Sequence, residues 1–228
     1  MDQPTGTILA LVARRARQEP HFVFTSLAHL LNVEFLRDCY GSLGKEKACG
    51  IDGRSWQEYG EQLEANLVAL EERLKAKKYK PLPAQRVYIP KKEHEKRPLG
   101  LPALEDKTVQ KGIARILEAI YEADFCDCSY GFRPQRSCHQ ALKAVDETIM
   151  RKPVNYVIEA DIKGFFDHVS HDGMMQFLPV RVRDSSLLRL IRRFLKAGYM
   201  ESGQGHRTDE GTPQGGNLSP LPANLFLH

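Results

Sequence analysis

The sequence predicts an α+β fold, because amphipathic helical segments and short β-rich runs alternate along its 228 residues without a repeat or a low-complexity linker. Apolar residues recur at helical spacing in several places, as at Leu63, Leu67, Leu70 and Leu74. Hydrophobic residues make up 42% of the chain, which is enough to form a buried core. We therefore expect a globular protein in which no sequence feature marks a sharp domain boundary.

The sequence of the N-terminal half predicts helices followed by a β-hairpin. Residues 1–40 are predicted to be mostly helical, with a break near Pro20. Residues 86–90 (RVYIP) and 98–102 (PLGLP) have the composition of two strands, and the charged residues 91–97 between them predict the hairpin loop.

The C-terminal half continues the mixed pattern. Three further helices are predicted, at residues 109–120, 137–149 and 187–195. The apolar residues 156–162 (YVIEADI) indicate a buried strand, and residues 199–211 an irregular hairpin. Ser219 and Pro220 have the residue types of an N-cap and a first helical position, so a last helix should begin there.

The net charge of +4 is only mildly basic, but the basic residues are clustered. The clusters lie at residues 14–17, 75–80, 91–97 and 189–196. Such patches can follow a phosphate backbone, although each could equally be a solvated helix face or loop.

Membrane and export signals are not evident. No apolar run reaches the roughly 18 residues that a membrane helix needs, and the short run at residues 8–12 precedes its arginines, the reverse of a signal peptide. The five cysteines are irregularly spaced and are expected to be free thiols. We expect a cytoplasmic protein with no membrane partner.

Two segments have residues suited to binding a nucleotide and a metal ion. Asp161 ends the predicted buried strand, where its carboxylate and the neighbouring Ile162 carbonyl could hold Mg²⁺; it could also simply cap the next turn. Lys91 and Arg97 on the hairpin loop could clamp a triphosphate, or they could be ordinary solvated cations.

A third segment, residues 211–220 (GTPQGGNLSP), combines glycines with a glutamine. Glycines allow a backbone to approach a ligand closely. A plain turn before a helix accounts for the glycines, prolines and serine, but it does not account for Gln214. Cys126, Cys128, Cys138 and His139 could bind zinc, but Cys-x-Cys is not the usual zinc spacing.

Together these segments resemble reverse transcriptases encoded by group II introns. The resemblance covers about residues 45–228 in collinear blocks. The blocks are residues 50–53 (GIDG), 86–91 (RVYIPK), 97–102 (RPLGLP), 104–110 (LEDKTVQ), 129–134 (SYGFRP), 136–139 (RSCH), 159–167 (EADIKGFFD) and 211–220 with Ala223 and Asn224. Because many blocks agree in order, chance agreement is a poor explanation.

The resemblance implies two-metal nucleotidyl transfer with Mg²⁺ as the cofactor. It implies that Asp161 is the first catalytic aspartate and a metal ligand, and that Ile162 contributes its carbonyl to the metal. Phe166, next to the nucleotide-binding Phe165, resembles the steric gate that lies where a ribose 2′-hydroxyl would go and so favours dNTPs.

The resemblance also implies contacts with the triphosphate and the template. Lys91 and Arg97 resemble the residues that hold the incoming triphosphate, and Gln214 resembles a glutamine near the nucleotide sugar and the templating pair. Contacts with the RNA template are implied at Arg133, Arg136 and Gly215.

The implied fold is the fingers and an incomplete palm of a right-hand polymerase. Residues 1–106 would form an N-terminal extension and fingers, and residues 107–228 the incomplete palm, with about 169–213 returning to the fingers. The family's Tyr-Ala-Asp-Asp segment does not occur in the sequence, and we expect the thumb and maturase domains to be absent.

We therefore expect an RNA-directed DNA polymerase by family that is inactive alone, with group II intron RNA as template, a DNA primer and dNTPs as partners. One alternative is a non-catalytic module that binds intron RNA. A viral-type RNA polymerase is a further possibility, but Phe166 argues against it because the gate would exclude ribonucleotides.

Overall fold

The computed structural model describes residues 5–90, 96–211, 216 and 220–227. The helices are α1 (Thr5–Gln18), α2 (Val33–Gly41), α3 (Trp56–Gly60), α4 (Leu63–Lys75), α5 (Leu104–Tyr121), α6 (Cys138–Arg151), α7 (His171–Phe177), α8 (Ser185–Leu195) and α9 (Pro220–Leu227). The strands are β1 (Ala84–Pro90), β2 (Lys96–Leu101), β3 (Tyr199–Glu201) and β4 (Gln204–His206). The α+β prediction is confirmed.

Helix α5 lies at the centre of the hydrophobic core. Its apolar positions are Val109, Ile113, Ile116 and Ile120, and all four are fully buried. The helix packs against α1 and α2. Spacings of three and four residues place these side chains on one helical face, which explains why the periodicity of the sequence identified this helix.

Within the described residues, the strands form one sheet in the order β2-β1-β3-β4. Strands β1 and β2 pair antiparallel, which agrees with the predicted hairpin. Arg97 lies opposite Ile89 within β2, so its predicted place in the hairpin loop is wrong: the strand pairing begins at Lys96. Strand β3 pairs in parallel with β1 and antiparallel with β4. The hairpin at residues 199–211 therefore joins the sheet that carries Arg97.

The segment before β3 also attaches to the N-terminal region. Phe24 forms a parallel bridge with Val182. The Arg181 guanidinium donates to the Pro20 carbonyl at 2.7 Å and to Asp124 at 2.5 Å. These contacts agree with a return of this segment to the N-terminal region, while the division at residue 106 and the bounds 169–213 stay predictions.

The predicted buried strand at residues 156–162 is wrong for the described structure. These residues form no strand, and the side chains of Tyr156 and Ile158 are 89% and 91% exposed. An extended apolar segment becomes a strand only when a neighbouring backbone supplies hydrogen bonds. None of the described strands pairs with this segment.

Helix α6 forms where it was predicted but is also uncovered. Ser137 is its N-cap and accepts a hydrogen bond from the Gln140 backbone N–H. The apolar face, with Leu142, Val145 and Ile149, remains exposed, and the helix contains no buried residue. Both α6 and residues 154–158 thus expose several large apolar side chains, whereas such side chains on a soluble domain are usually exposed singly.

A buried carboxylate gives the N-terminal region a predictable response to pH. Asp106 is 2% exposed and accepts hydrogen bonds from the Tyr79 hydroxyl at 2.5 Å and the Leu82 N–H at 3.0 Å. Burial raises the pKa of Asp106 to about 6, although both donors favour the charged form. Because the folded-state pKa is raised, protonation of Asp106 favours the folded state. This contribution to stability is fully present below the unfolded-state pKa of about 3.9, and it is lost as the pH rises through the folded-state pKa of about 6.

We expect most of about 3 kcal/mol of this contribution to the free energy of unfolding to disappear between about pH 4 and pH 7. The measurement is urea unfolding of the chain and of Asp106→Asn across that range. Because asparagine does not titrate, the stability of the original chain relative to the variant should fall as the pH rises. A difference that is constant with pH would contradict the assignment.

Candidate active site

A cavity of about 840 Å³ brings together side chains from distant parts of the chain. Strand β2, the loop before α6, the turn at residues 160–167 and helix α9 all contribute to its wall. The predicted site residues that line it are Arg97, Asp161, Ile162, Phe165 and Phe166. The sequence placed these residues in two separate motifs, and the structure brings them to one cavity.

A left-handed turn shapes the part of the wall that carries Asp161 and Phe166. Gly164 has φ +63°, a conformation that glycine adopts without the strain of a Cβ. A single 3₁₀ turn, Phe165–Asp167, follows directly. The chain reverses here, so that Asp161 before the turn and Phe166 within it line the same cavity.

Arg133 supports the loop at residues 129–134 from inside. Its side chain is only 4% exposed. The guanidinium donates to the Glu122 carboxylate at 2.8 Å, the Cys126 carbonyl at 2.6 Å and the Ser129 carbonyl at 2.8 Å. This geometry favours a supporting role for Arg133, and its direct contact with template stays a prediction.

Arg136 is also engaged within the same region. Its guanidinium donates to the carboxylate of Asp127 at 3.0 Å and to the Asp127 backbone carbonyl at 3.1 Å. The ion pair is at the surface, where such pairs contribute little to stability, so a phosphate could compete for Arg136. Its template contact likewise stays a prediction.

Gly211, the last described residue before Gln214, is anchored beside Phe166 and Asp167. Gly211 donates its N–H to the Val169 carbonyl at 2.8 Å, and its carbonyl lies 2.7 Å from His171 Nε2. A Cβ on Gly211 would lie 2.6 Å from the Asp167 carbonyl oxygen, and φ is +81°, so only glycine fits without strain.

His171 holds the backbone at Gly211, and no motif in the sequence indicated it. A carbonyl can only accept, so the hydrogen bond to Gly211 places a proton on Nε2 of the buried imidazole. Its Nδ1 has no partner among the described residues. The sequence signal was weak: a histidine after Ser170, which caps α7.

Three of the predicted site residues, Gln214, Gly215 and Lys91, lie outside the described residues.

The residues present suit part of a magnesium site. Asp161 supplies a carboxylate and Ile162 a backbone carbonyl, and both line the cavity. Mg²⁺ is commonly bound through one or two carboxylates together with substrate phosphates, so this donor set fits when a triphosphate completes it. Across the described ranges, no group of three or more His, Cys, Asp or Glu side chains is placed to hold a metal ion unaided.

Comparison with known families agrees with this geometry. The profile of the family described as "Reverse transcriptase (RNA-dependent DNA polymerase)" matches residues 89–228, which include the cavity residues. The chain belongs to the reverse transcriptase family. The predicted polymerase class is thereby confirmed at the level of the family.

Within that family the chain is similar to a group II intron-encoded protein and to other curated proteins. It is 40% identical to the group II intron-encoded protein LtrA of Lactococcus lactis subsp. cremoris, over 99% of this chain and 38% of that protein. It is 39% identical to protein YkfC of Escherichia coli K12, over 78% of this chain and 48% of that protein. The chain thus spans less than half the length of these relatives.

Among solved structures, a partial Cas6-RT-Cas1–Cas2 complex contains a similar fold. The TM-score is 0.57 at 24% identity, with 86% of this chain and 33% of that chain covered. At this identity the likeness concerns the fold alone. No helix among the described residues is long and apolar enough to cross a membrane.

Proposed function

We propose that this chain carries the nucleotide-binding half of a reverse transcriptase site, which adds dNTPs to a DNA primer on an RNA template by two-metal nucleotidyl transfer. The observation that carries the proposal is that Arg97, Asp161 and Phe166 line one cavity although 64 residues separate the first two. The cavity offers a cation for phosphate, a carboxylate for metal and a ring for the sugar.

Each of these residues has a role that its chemistry suits. The Arg97 guanidinium can bind phosphate oxygens through two parallel hydrogen bonds. Asp161 orients a metal-bound triphosphate towards the primer end. Phe166 fills the space that a ribose 2′-hydroxyl would need. Phosphoryl transfer depends mostly on positioning and charge stabilisation, so these roles suffice to define a nucleotide site.

Mg²⁺, when bound, would activate the primer 3′-hydroxyl and stabilise the charge of the leaving pyrophosphate.

The group II intron-encoded relatives support intron RNA as the template. The described cysteines are all free, which suits a reducing compartment such as the cytoplasm. Residues 50–53, before α3, would belong to an RNA-contacting extension.

Replacing Phe166 with alanine tests the gate directly. We expect the preference for dATP over ATP to fall about tenfold or more, because a missing side chain removes the steric exclusion of the 2′-hydroxyl. The measurement is equilibrium binding of each nucleotide to the chain with Mg²⁺ and an RNA template carrying a dideoxy-terminated DNA primer. The terminated primer makes the result independent of catalysis.

Phe177→Ala is the matched control for this variant. Phe177 is a half-exposed phenylalanine that packs edge-to-face on Phe226 at 5.3 Å and does not line the cavity. An unchanged dATP preference in Phe166→Ala would contradict the gate. Salt-dependent RNA affinity without any nucleotide selectivity in the unaltered chain would instead support a non-catalytic RNA-binding module.

A further inference from the structure

Phe132 has an unusual combination of exposure and backbone conformation. It lies in the loop before α6, its side chain is 68% exposed, and its φ is +54°. A bulky residue with positive φ is a genuine outlier, because its Cβ crowds the neighbouring carbonyl. Exposure means that packing in the core does not compensate for this strain.

Anchors on both sides impose the strained conformation. On one side, the Asn224 side-chain amide of α9 donates to the Gly131 carbonyl at 2.8 Å. On the other side, the buried Arg133 guanidinium ties the loop to Glu122 and to the Cys126 carbonyl. Strain that the surrounding structure enforces in this way is typical of functional sites.

The ring of Phe132 meets the proposed gate. Its centroid lies 6.4 Å from that of Phe166, and the two ring planes are inclined at 85°, an edge-to-face contact. Phe166 in turn contacts Phe165, with centroids 5.8 Å apart. All three rings line the cavity. Phe132 is therefore the most exposed member of a row of three rings, Phe132, Phe166 and Phe165, and the last two belong to the 3₁₀ turn Phe165–Asp167.

We propose that Phe132 is a positioning residue for sugar selectivity, which holds the Phe166 ring where it excludes a ribose 2′-hydroxyl. The proposal rests on the proposed nucleotide site, and it adds to Phe166 a second residue, from a different part of the chain, that determines sugar selectivity. Without the Phe132 ring against it, we expect the Phe166 ring to leave the position in which it excludes the 2′-hydroxyl, so that ATP binds more readily. An aromatic edge-to-face contact is strong enough to bias such an equilibrium.

The variant Phe132→Gly separates this role from a structural one. Glycine adopts positive φ freely, so the variant should unfold at the same temperature as the original chain or higher. The dATP preference over ATP should nevertheless fall about two- to tenfold, the range expected for loss of one aromatic pair. A merely structural residue would show the opposite pattern, a lower melting temperature with unchanged selectivity.

The experiment uses the full 228-residue chain with Mg²⁺ and an RNA template whose next base is uracil, paired with a dideoxy-terminated DNA primer. Binding of fluorescent dATP and ATP is measured for the original chain, Phe132→Gly, Phe132→Tyr, Phe166→Ala and the double variant of Phe132→Gly with Phe166→Ala. Phe132→Tyr keeps an aromatic ring at this position, so this variant should keep the preference for dATP over ATP. In the Phe166→Ala background, Phe132→Gly should have no further effect, because the two changes act through one contact.

Two failures are distinguishable. If the original chain shows no preference between dATP and ATP, the nucleotide site itself is overturned, and the role of Phe132 with it. If Phe166→Ala loses the preference but Phe132→Gly keeps it, the nucleotide site stands and the role of Phe132 is overturned. Additive losses in the double variant would also overturn it, since they would mean that Phe132 acts independently of the gate.

Discussion

Replacing Asp161 with alanine is expected to eliminate the Mg²⁺-dependent part of nucleotide binding while leaving the free energy of unfolding within about 0.5 kcal/mol of the original. The side chain is exposed in the cavity wall and belongs to no part of the buried core. Its removal therefore takes away a carboxylate for metal without opening a packing defect.

The measurement is dATP binding to the primer–template complex with and without Mg²⁺, with primer extension as a second readout wherever extension is detectable. Glu159→Ala is the matched control, because Glu159 is an exposed carboxylate two residues earlier that does not line the cavity. Equal Mg²⁺ dependence in Asp161→Ala and Glu159→Ala would refute the metal-ligand role. A loss of folding in Asp161→Ala would show that its role is structural.

The elements that the sequence predicted well are those whose signals are local. Helix α5 was evident from the spacing of its apolar residues, and α6 from its N-cap Ser137. The β1–β2 hairpin was evident from two β-rich runs around a charged loop. The short helices α3 and α7 were missed, although Ser55 and Glu58 form a reciprocal capping box at α3 that the sequence already contains.

The segment at residues 156–162 shows the limit of a local signal. Its apolar, β-rich composition predicts a strand, but composition cannot supply the neighbouring backbone that a strand requires. The exposure of this segment and of the apolar face of α6 has the same physical origin, since both are suited to burial and neither has a covering element among the described residues.

The residues of the candidate site could be predicted from the sequence only where they belong to a motif of known role. The resemblance indicated Arg97, Asp161 and Phe166, and the structure brings them to one cavity. The resemblance included Phe132 in the block at residues 129–134 but assigned it no role, and it did not include His171, whose partner is a backbone carbonyl 40 residues away. Both depend on tertiary geometry, which no spacing in the sequence reveals.

Asp184 holds two distant segments together through one carboxylate. Its Oδ1 accepts from the N–H groups of Ser186 and Leu187 at 2.8 and 3.0 Å, which caps α8. Its Oδ2 accepts from the N–H groups of Leu27 and Ala28 at 2.6 and 2.8 Å. Burial raises the pKa of Asp184, but these four donors together outweigh it and hold the pKa below its usual range.

We expect Asp184→Ala to lower the free energy of unfolding by about 3–7 kcal/mol, the largest stability effect proposed for this protein. Loss of an N-cap costs about 1 kcal/mol, and each backbone N–H left without an acceptor at Leu27 and Ala28 costs about 1–3 kcal/mol. Asp184→Asn keeps one acceptor oxygen and should lose roughly half as much. Urea unfolding of the three chains at neutral pH measures the difference.

Asp172→Ala is the matched control, because Asp172 is 82% exposed and pairs with Arg192 at the surface, where an ion pair contributes about 0–1 kcal/mol. The pH dependence gives an independent check. A depressed pKa contributes stability above the unfolded-state value of about 3.9 that is lost as the pH falls through the folded-state pKa. The stability difference between the original chain and Asp184→Ala should therefore become smaller under acid conditions. A difference that did not change with pH would mean that packing, rather than the charged carboxylate, holds residues 27 and 28 against α8.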